Sequence, residues 1–427
     1  MRIIALQNSR CNTYPICVDK KIAHLKKHFS FKEEELIEVR KMYALQYFDP
    51  TDFGVRKVYE ISSSLCDEFN SLFVEVANGS KKAKKRQKKI LDLLFIGHGF
   101  IPEVRRRLSA VIGLAELTSN NFVNVGATFS PYSLVILQSF VQFGADVSVG
   151  LSSPIEKDGK RRLGKLIVKA HCWLCSKAHA DLEGEIGMGS VLAAGATLKE
   201  SAPDNSLLLG NPASVKRHIE ENEVFGGAIE NIDPARVAMV METWKKMGYS
   251  ISKKTAEKIL SGEVFSTLNP SLGLLYLKTH MLCEKLDSPS LSIEERETVL
   301  DLLFPSHGKN FKVGKGLFLD LAGTVSVGDD VSIEDNVTIG GRVTLEDKVT
   351  LEEGSCIFSS NHPLCYKSRR PRFSFAKGLH IDVRLEKNVV KNGVHLGKGS
   401  MLAPTASISR DVKANTLALG DGKYIEM

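Results

Sequence analysis

At 427 residues, with 43% hydrophobic and 25% charged residues, the chain is long enough for two or three domains and too apolar to be disordered. Lysine and arginine exceed the acidic residues by 57 − 50 = 7, a mildly basic balance that suits a phosphate-bearing ligand or an anionic glycan without selecting either. The opening Met1-Arg2-Ile3-Ile4-Ala5-Leu6 is too short for a signal-peptide core, and no apolar run reaches the length of a membrane span, so the expectation is a cytoplasmic protein.

Residues 1–37 form an extension with no assigned role and a helix expected from about Asp19. Residues 38–96 read as helical. The run Lys81, Lys82, Lys84, Lys85, Arg86, Lys88, Lys89 near their end is interleaved with no aromatic residue, so a solvated helix face is the expectation and a nucleic-acid patch the rejected alternative. Residues 97–218 and 306–427 read as two β-rich arrays, with a second helical lead over 256–305 before the latter. Between them, in 219–255, Asp233 as N-cap, Pro234 at the first helical position and Gly248 past the end bracket a linker helix with Val237, Val240, Met241 and Trp244 on one face. The eight cysteines give one CxxC, Cys172-Trp173-Leu174-Cys175, which has no second pair to complete a metal site and is expected to be two reduced thiols.

The chain is one module written twice. Ile90-Leu91-Asp92-Leu93-Leu94-Phe95 returns as Val299-Leu300-Asp301-Leu302-Leu303-Phe304, and His98-Gly99 as His307-Gly308, both at an offset of 209; Phe48 and Cys66 return as Phe265 and Cys283 at 217. The second array shows its period most clearly. Val327, Ile333, Ile339, Leu345, Leu351 and Ile357 stand every sixth residue, and a valine precedes each of the first five by two positions. A six-residue step is wrong for a helical stripe and right for a parallel β-helix, in which each coil lays short strands on the coil below. The pattern resumes at Val390, Leu396, Leu402 and Ile408.

This array, broken by a loop at Asn361-His362-Pro363 and preceded by a short helical module, resembles the left-handed β-helix (hexapeptide-repeat) acyltransferases, and among them the maltose and galactoside O-acetyltransferase group. The resemblance implies a mainly β fold: two left-handed parallel β-helix domains, each behind its helical module, assembled as a homotrimer with active sites between chains. It further implies transfer of an acetyl group from acetyl-CoA to a carbohydrate hydroxyl, with His362 as general base. An imidazole suits that task because its pKa lies near the working pH. Asp320 in Phe318-Leu319-Asp320 and Asn336 align with acceptor-side residues, Asn361 flanks the base, and Ala403, Ser409 and Arg410 stand where coenzyme A is held. Lys367, Arg369, Arg370 and Arg372 offer either a nucleotide contact or a solvated loop.

The two modules differ in what they keep. At the 209 offset the first carries Val111, Ala127 and Ser153 for Asp320, Asn336 and His362, and its repeat reads as eroded, with Asn124, Ser130 and Gln142 on apolar steps. It is expected to be catalytically degenerate. It nevertheless retains the family's closing Gly210-Asn211-Pro212-Ala213, with Lys216 and Arg217 beyond, which the second module lacks. The alternative expectation is therefore a trimeric scaffold or ligand-binding protein of the same fold, in which neither module turns over.

Overall fold

A computed structural model describes residues 16–427 apart from 78, 100–102, 106, 222–230, 268, 359, 368, 370–372, 377–378, 382–388, 391–395, 397–400, 403–406, 409–410, 414–415, 421–422 and 427. The chain divides into two units, Met1–Glu220 and Glu221–Met427.

In the first unit, short strands of two to five residues recur after tight turns, and each lies parallel on an equivalent strand one coil away. Three sheets result. One runs from Glu103–Val104 through Phe122–Val123, Gln142–Phe143, Trp173–Leu174 and Val191–Leu192 to Ser206–Gly210; a second joins Ala115–Leu117, Ser133–Leu137, Gly164–Val168 and Gly184–Ile186; a third joins Thr128–Phe129, Ser148–Val149, His179–Ala180 and Thr197–Leu198. The alternation of a strand sends every second side chain inward, and Val123, Phe129, Val135, Leu137, Phe143 and Val149 fill the interior at 2% exposure or less. Phe95, at the end of the helical lead, plugs one end by stacking edge-on against Phe129, ring centroids 5.8 Å apart.

The apolar ladder of this unit is intact, which corrects the expectation of erosion. Asn124 and Gln142 are half-exposed and outside the interior, and Ser130 sits past the end of its strand, donating to Leu151 O. The cause is a change of coil length. Glu103 pairs with Phe122, 19 residues on, whereas in the second unit Lys312 pairs with Ser332, 20 residues on. A single offset therefore cannot map one unit onto the other, and a one-residue slip exchanges inward for outward positions.

The second unit repeats the plan. Its sheets include Lys312–Val313, Ser332–Ile333, Thr350–Leu351; Phe318–Leu319, Thr338–Gly340, Cys356–Phe358, Val389–Val390, Ser407–Ile408; Val325–Val327, Val343–Leu345, Leu379–Ile381; and Met401–Leu402, Thr416–Gly420, Lys423–Glu426, the last strand antiparallel. Every six-step residue read from the sequence between Val327 and Ile357 is buried. The turns share one device: Asp330, Asn336, Lys348 and Gly354 all adopt left-handed φ, between 60° and 74°, where asparagine and glycine carry the least strain.

Helices close each unit. In the first, the Val18–Phe29 helix places Lys21 against Glu116, Nζ to Oε1 2.7 Å with both side chains 1% exposed, and the other carboxylate oxygen accepts the Ile16 N–H at 2.9 Å. His24 Nε2 meets Leu93 O at 3.0 Å. The amino-terminal segment, for which the sequence offered no role, is thus fastened to the second sheet. The Lys81–Leu94 helix is capped by Ser80, buries Ala83, Gln87, Ile90, Leu93 and Leu94, and leaves its lysines in solvent, as the charge pattern suggested.

The Pro234–Lys246 helix, expected as a linker, belongs to the core of the second unit. Trp244 is fully buried and its indole N–H donates to Ala322 O at 2.8 Å, while Val237 and Val240 pack beside it. The remaining helices have strong start signals: Asn269 before Pro270–Leu286, and a reciprocal capping box between Ser292 and Glu295 before Ile293–Leu303. Among the described residues no helix is long and apolar enough to cross a membrane.

Candidate active site

The second sheet strand-ends of the second unit bring several sequence candidates to one edge. Phe318–Leu319 pairs with Thr338–Ile339, which pairs with Cys356–Ile357, and Gly340 pairs with Phe358. Asp320 follows the first of these strands, and its N–H donates to Ile339 O at 2.9 Å. Ser360-Asn361-His362 follows the third. Asp320 and the His362 loop therefore leave the same edge of the same sheet, two coils apart.

The His362 loop is held from three directions. Its first strand, Ser360–Asn361, pairs antiparallel with Phe373–Ala376, and that strand pairs in turn with Phe265–Ser266 from the helical lead. His362 stands half-buried where the loop begins to turn, and Pro363 after it is buried. Proline restricts the backbone of the residue before it to extended conformations, which limits how the ring can be presented. Arg369, only 4% exposed, reaches back to donate from Nη1 to Pro363 O at 3.0 Å and to Leu364 O. Sequence reasoning offered Arg369 as either a nucleotide contact or part of a solvated loop; its guanidinium is instead turned inward as a clasp on the two residues after His362. Lys367 lies outside, paired with Glu221, whose carboxylate raises the ammonium pKa above its ordinary value. Arg370 and Arg372 are outside the described residues, as are Ala403, Ser409 and Arg410.

Asn336 is not brought to this edge. It precedes the Thr338–Gly340 strand, whereas Asp320 and His362 follow theirs, so a strand's length separates them. It is exposed, has φ 60°, donates its N–H to Lys315 O at 2.7 Å, and lays its side-chain oxygen where a Cβ on Gly316 would stand, 2.4 Å away. Turn geometry accounts for an asparagine there. The side chain of Asn361 is outside what is described.

The first unit builds a different loop at the corresponding place. Val149 is followed by Ser152, whose N–H and hydroxyl both donate to Asp181, at 2.7 and 2.8 Å, with Lys199 on the same carboxylate. These bonds and the lysine hold the Asp181 carboxyl below its usual pKa against the opposing, larger effect of burial. A hairpin of Ile155–Lys157 and Lys160–Arg162 then turns through Asp158 and Gly159, both left-handed, and no histidine lies between Val149 and Leu163. His179 stands on the neighbouring strand, its Nδ1 2.8 Å from Ser148 Oγ, with burial lowering its pKa below the ordinary imidazole value. The closing Gly210-Asn211-Pro212-Ala213 forms the turn of the antiparallel hairpin between Ser206–Gly210 and Ala213–His218.

Cys172 is buried and donates to Gly187 O at 3.0 Å, while Cys175 is half-buried and in no disulfide. Among the described residues no cluster of histidine, cysteine and carboxylate could hold a metal ion.

The stacked parallel sheets of each unit define a parallel β-helix. Among solved structures the chain is similar to a maltose O-acetyltransferase from Clostridium difficile, 20% identical over 40% of this chain and 95% of that one, with a TM-score of 0.37. It is also similar to a hexapeptide-repeat acetyltransferase from Vibrio cholerae complexed with acetyl-coenzyme A, 24% identical over 41% of this chain and 96% of that one, TM-score 0.36. A galactoside acetyltransferase in complex with coenzyme A is 21% identical over 40% of this chain and 89% of that one, TM-score 0.37. No family model and no curated protein sequence matches the chain.

Proposed function

We propose that the chain is an acetyl-CoA-dependent O-acetyltransferase acting on a carbohydrate hydroxyl, built as a tandem duplication whose second module, 306–427 behind the helical lead 256–305, carries the chemistry. The observation that carries this reading is the shared edge: Asp320 and the loop bearing His362 leave one sheet at the same side, and the loop is held by an antiparallel strand and by Arg369. His362 would take the proton of the acceptor hydroxyl as its oxygen attacks the thioester carbonyl. A C–O bond then forms, the C–S bond breaks, and coenzyme A leaves as the thiol after receiving the proton. Asp320 would orient the acceptor, with Asn361 beside the base, and Ala403, Ser409 and Arg410 would line the donor. Asn336 is assigned to turn formation.

The first module, 97–218 behind 38–96, serves in this reading as a structural partner. Its loop lacks a histidine, and the amino-terminal helix occupies one sheet face through Lys21 and Glu116. The protein is proposed to be a cytoplasmic homotrimer. Release of free thiol from acetyl-CoA with a panel of sugars tests the function: it should vanish in His362→Ala and persist in Ser153→Ala. Saturable coenzyme A binding without turnover on any acceptor would favour the scaffold reading instead.

A further inference from the structure

A serine and a histidine meet on the outer face of the first unit, in the sheet that joins Thr128–Phe129, Ser148–Val149, His179–Ala180 and Thr197–Leu198. Ser148 and His179 stand directly opposite each other on neighbouring coils. The ladder fixes both backbones, Ser148 N–H donating to Ala178 O at 3.1 Å and His179 N–H to Ala196 O at 2.8 Å. Val149 and Ala180 are buried, so the alternation of the strand turns Ser148 and His179 outward together. Their side chains meet there, Ser148 Oγ 2.8 Å from His179 Nδ1. Coil stacking, rather than a loop, sets this distance.

Reactants can approach the pair, because Ser148 is half-buried and His179 exposed. The part of the ring packed on the sheet loses water, which lowers its pKa; Asp181 opposes that effect, and the charges of Lys177 and Lys199 add to it. The imidazole is thus neutral at pH 7, and in the tautomer with its proton on Nε2 it accepts the Ser148 hydroxyl at Nδ1. A serine within hydrogen-bond reach of a base is an activated nucleophile. Lys177 brings an ammonium whose charge is felt at the ring, and so also at a carbonyl oxygen attacked beside it.

We propose that Ser148 and His179 form a second catalytic site, which hydrolyses a carboxylic ester through an acyl-serine. This goes beyond the acetyl-transfer reading, in which the first unit is structural, and does not depend on it. Ser148 Oγ attacks the ester carbonyl as its proton passes to His179 Nδ1; the bond from the acyl carbon to the alcohol oxygen breaks, and the alcohol leaves with that proton. Water then attacks the acyl-serine, giving a proton to the same nitrogen, and the acid departs as Ser148 takes the proton back.

Diisopropyl fluorophosphate, which forms a P–O bond to an activated serine with loss of fluoride, tests the nucleophile in the full chain without acetyl-CoA or sugar, so the result stands apart from acetyl transfer. Mass spectrometry of the digested protein should place the adduct on Ser148, and the labelling should slow about a hundredfold in His179→Gln. No adduct on Ser148, or equal labelling of His179→Gln with circular dichroism showing both proteins folded, overturns the site. Release of p-nitrophenol from p-nitrophenyl acetate tests the hydrolysis. A fall to the uncatalysed rate in Ser148→Ala supports it, and equal release by wild type and Ser148→Ala overturns that activity.

Discussion

Phe48 and Arg161 exchange backbone hydrogen bonds in both directions, each 2.9 Å, and so pin the hairpin loop of the first unit to its helical lead. In the second unit Phe265 pairs with Ser374 in the same antiparallel sense and pins the His362 loop. Phe48 and Phe265 are the pair that the sequence set 217 residues apart. The units also repeat a clasp at the end of the helical lead, where His98 meets Asp92 at 2.9 Å and His307 meets Asp301 at 3.1 Å. A loop tied in this way can present a side chain at a fixed place, which a free loop cannot.

Arg369→Ala should therefore loosen the His362 loop without unfolding the unit. Amide hydrogen exchange across 360–376 is expected to speed up, while protection of the coil strands Thr338–Gly340 and Thr350–Leu351 stays unchanged. On the proposed chemistry kcat should fall by about tenfold or more, since misplacing a reacting group is costly. Unaltered exchange in the loop would show that Arg369 does not hold it.

The ion pair of Lys21 and Glu116 should matter more when half is removed than when both partners are. Glu116→Ala leaves a buried ammonium with no partner and is expected to destabilise the first unit by about 3–5 kcal/mol, whereas Lys21→Met with Glu116→Leu should cost much less. Urea unfolding of the two variants, followed through the first unit, makes the comparison. Equal losses in both would mean that packing of the helix, not charge, fastens it.

Trp244→Ala should destabilise the second unit by about 3–5 kcal/mol, through a lost buried side chain and an unpaired Ala322 carbonyl. A shift of that size in the chemical-denaturation midpoint of the second unit would show that the Pro234–Lys246 helix is core. A change within experimental scatter would return it to the status of a connector.

Acid should weaken the first unit through His24 and His179, whose pKa values burial lowers below 6.5. A base with a depressed folded pKa is bound by a proton sooner when unfolded, so the stabilisation is complete above pH 6.5 and is lost as pH falls through the folded value. Denaturation midpoints at pH 7.5 and 5 should differ, and His24→Gln should narrow the gap. An unchanged gap in that variant would remove His24 from the account.

The six-residue period made the second unit legible because the inward rung is a simple alternation that Val325 to Ile357 hardly violate. It misread the first unit, where the 19-residue step from Glu103 to Phe122, one residue shorter than the step from Lys312 to Ser332, displaced the frame and put Asn124 and Gln142 on rungs they do not occupy. Offsets count residues; strands count pairings. Arg369 was legible as charge but not as a clasp, since nothing local in Lys367-Ser368-Arg369 tells a solvated arginine from one folded back onto carbonyls. Lys21 and Glu116, 95 residues apart, carry no sequence sign of meeting. The left-handed turn positions could have been read earlier: Asp330, Asn336, Lys348 and Gly354 recur at six-residue multiples, and that regularity already argued for Asn336 as a turn former.

Thiol release from acetyl-CoA, measured for wild type and His362→Ala across a panel of sugars, tests the central claim most directly. The account predicts acceptor-dependent release by the wild type that falls at least a hundredfold in His362→Ala, with the variant still folded and still binding coenzyme A. Acceptor-dependent release that survives loss of the imidazole would contradict it.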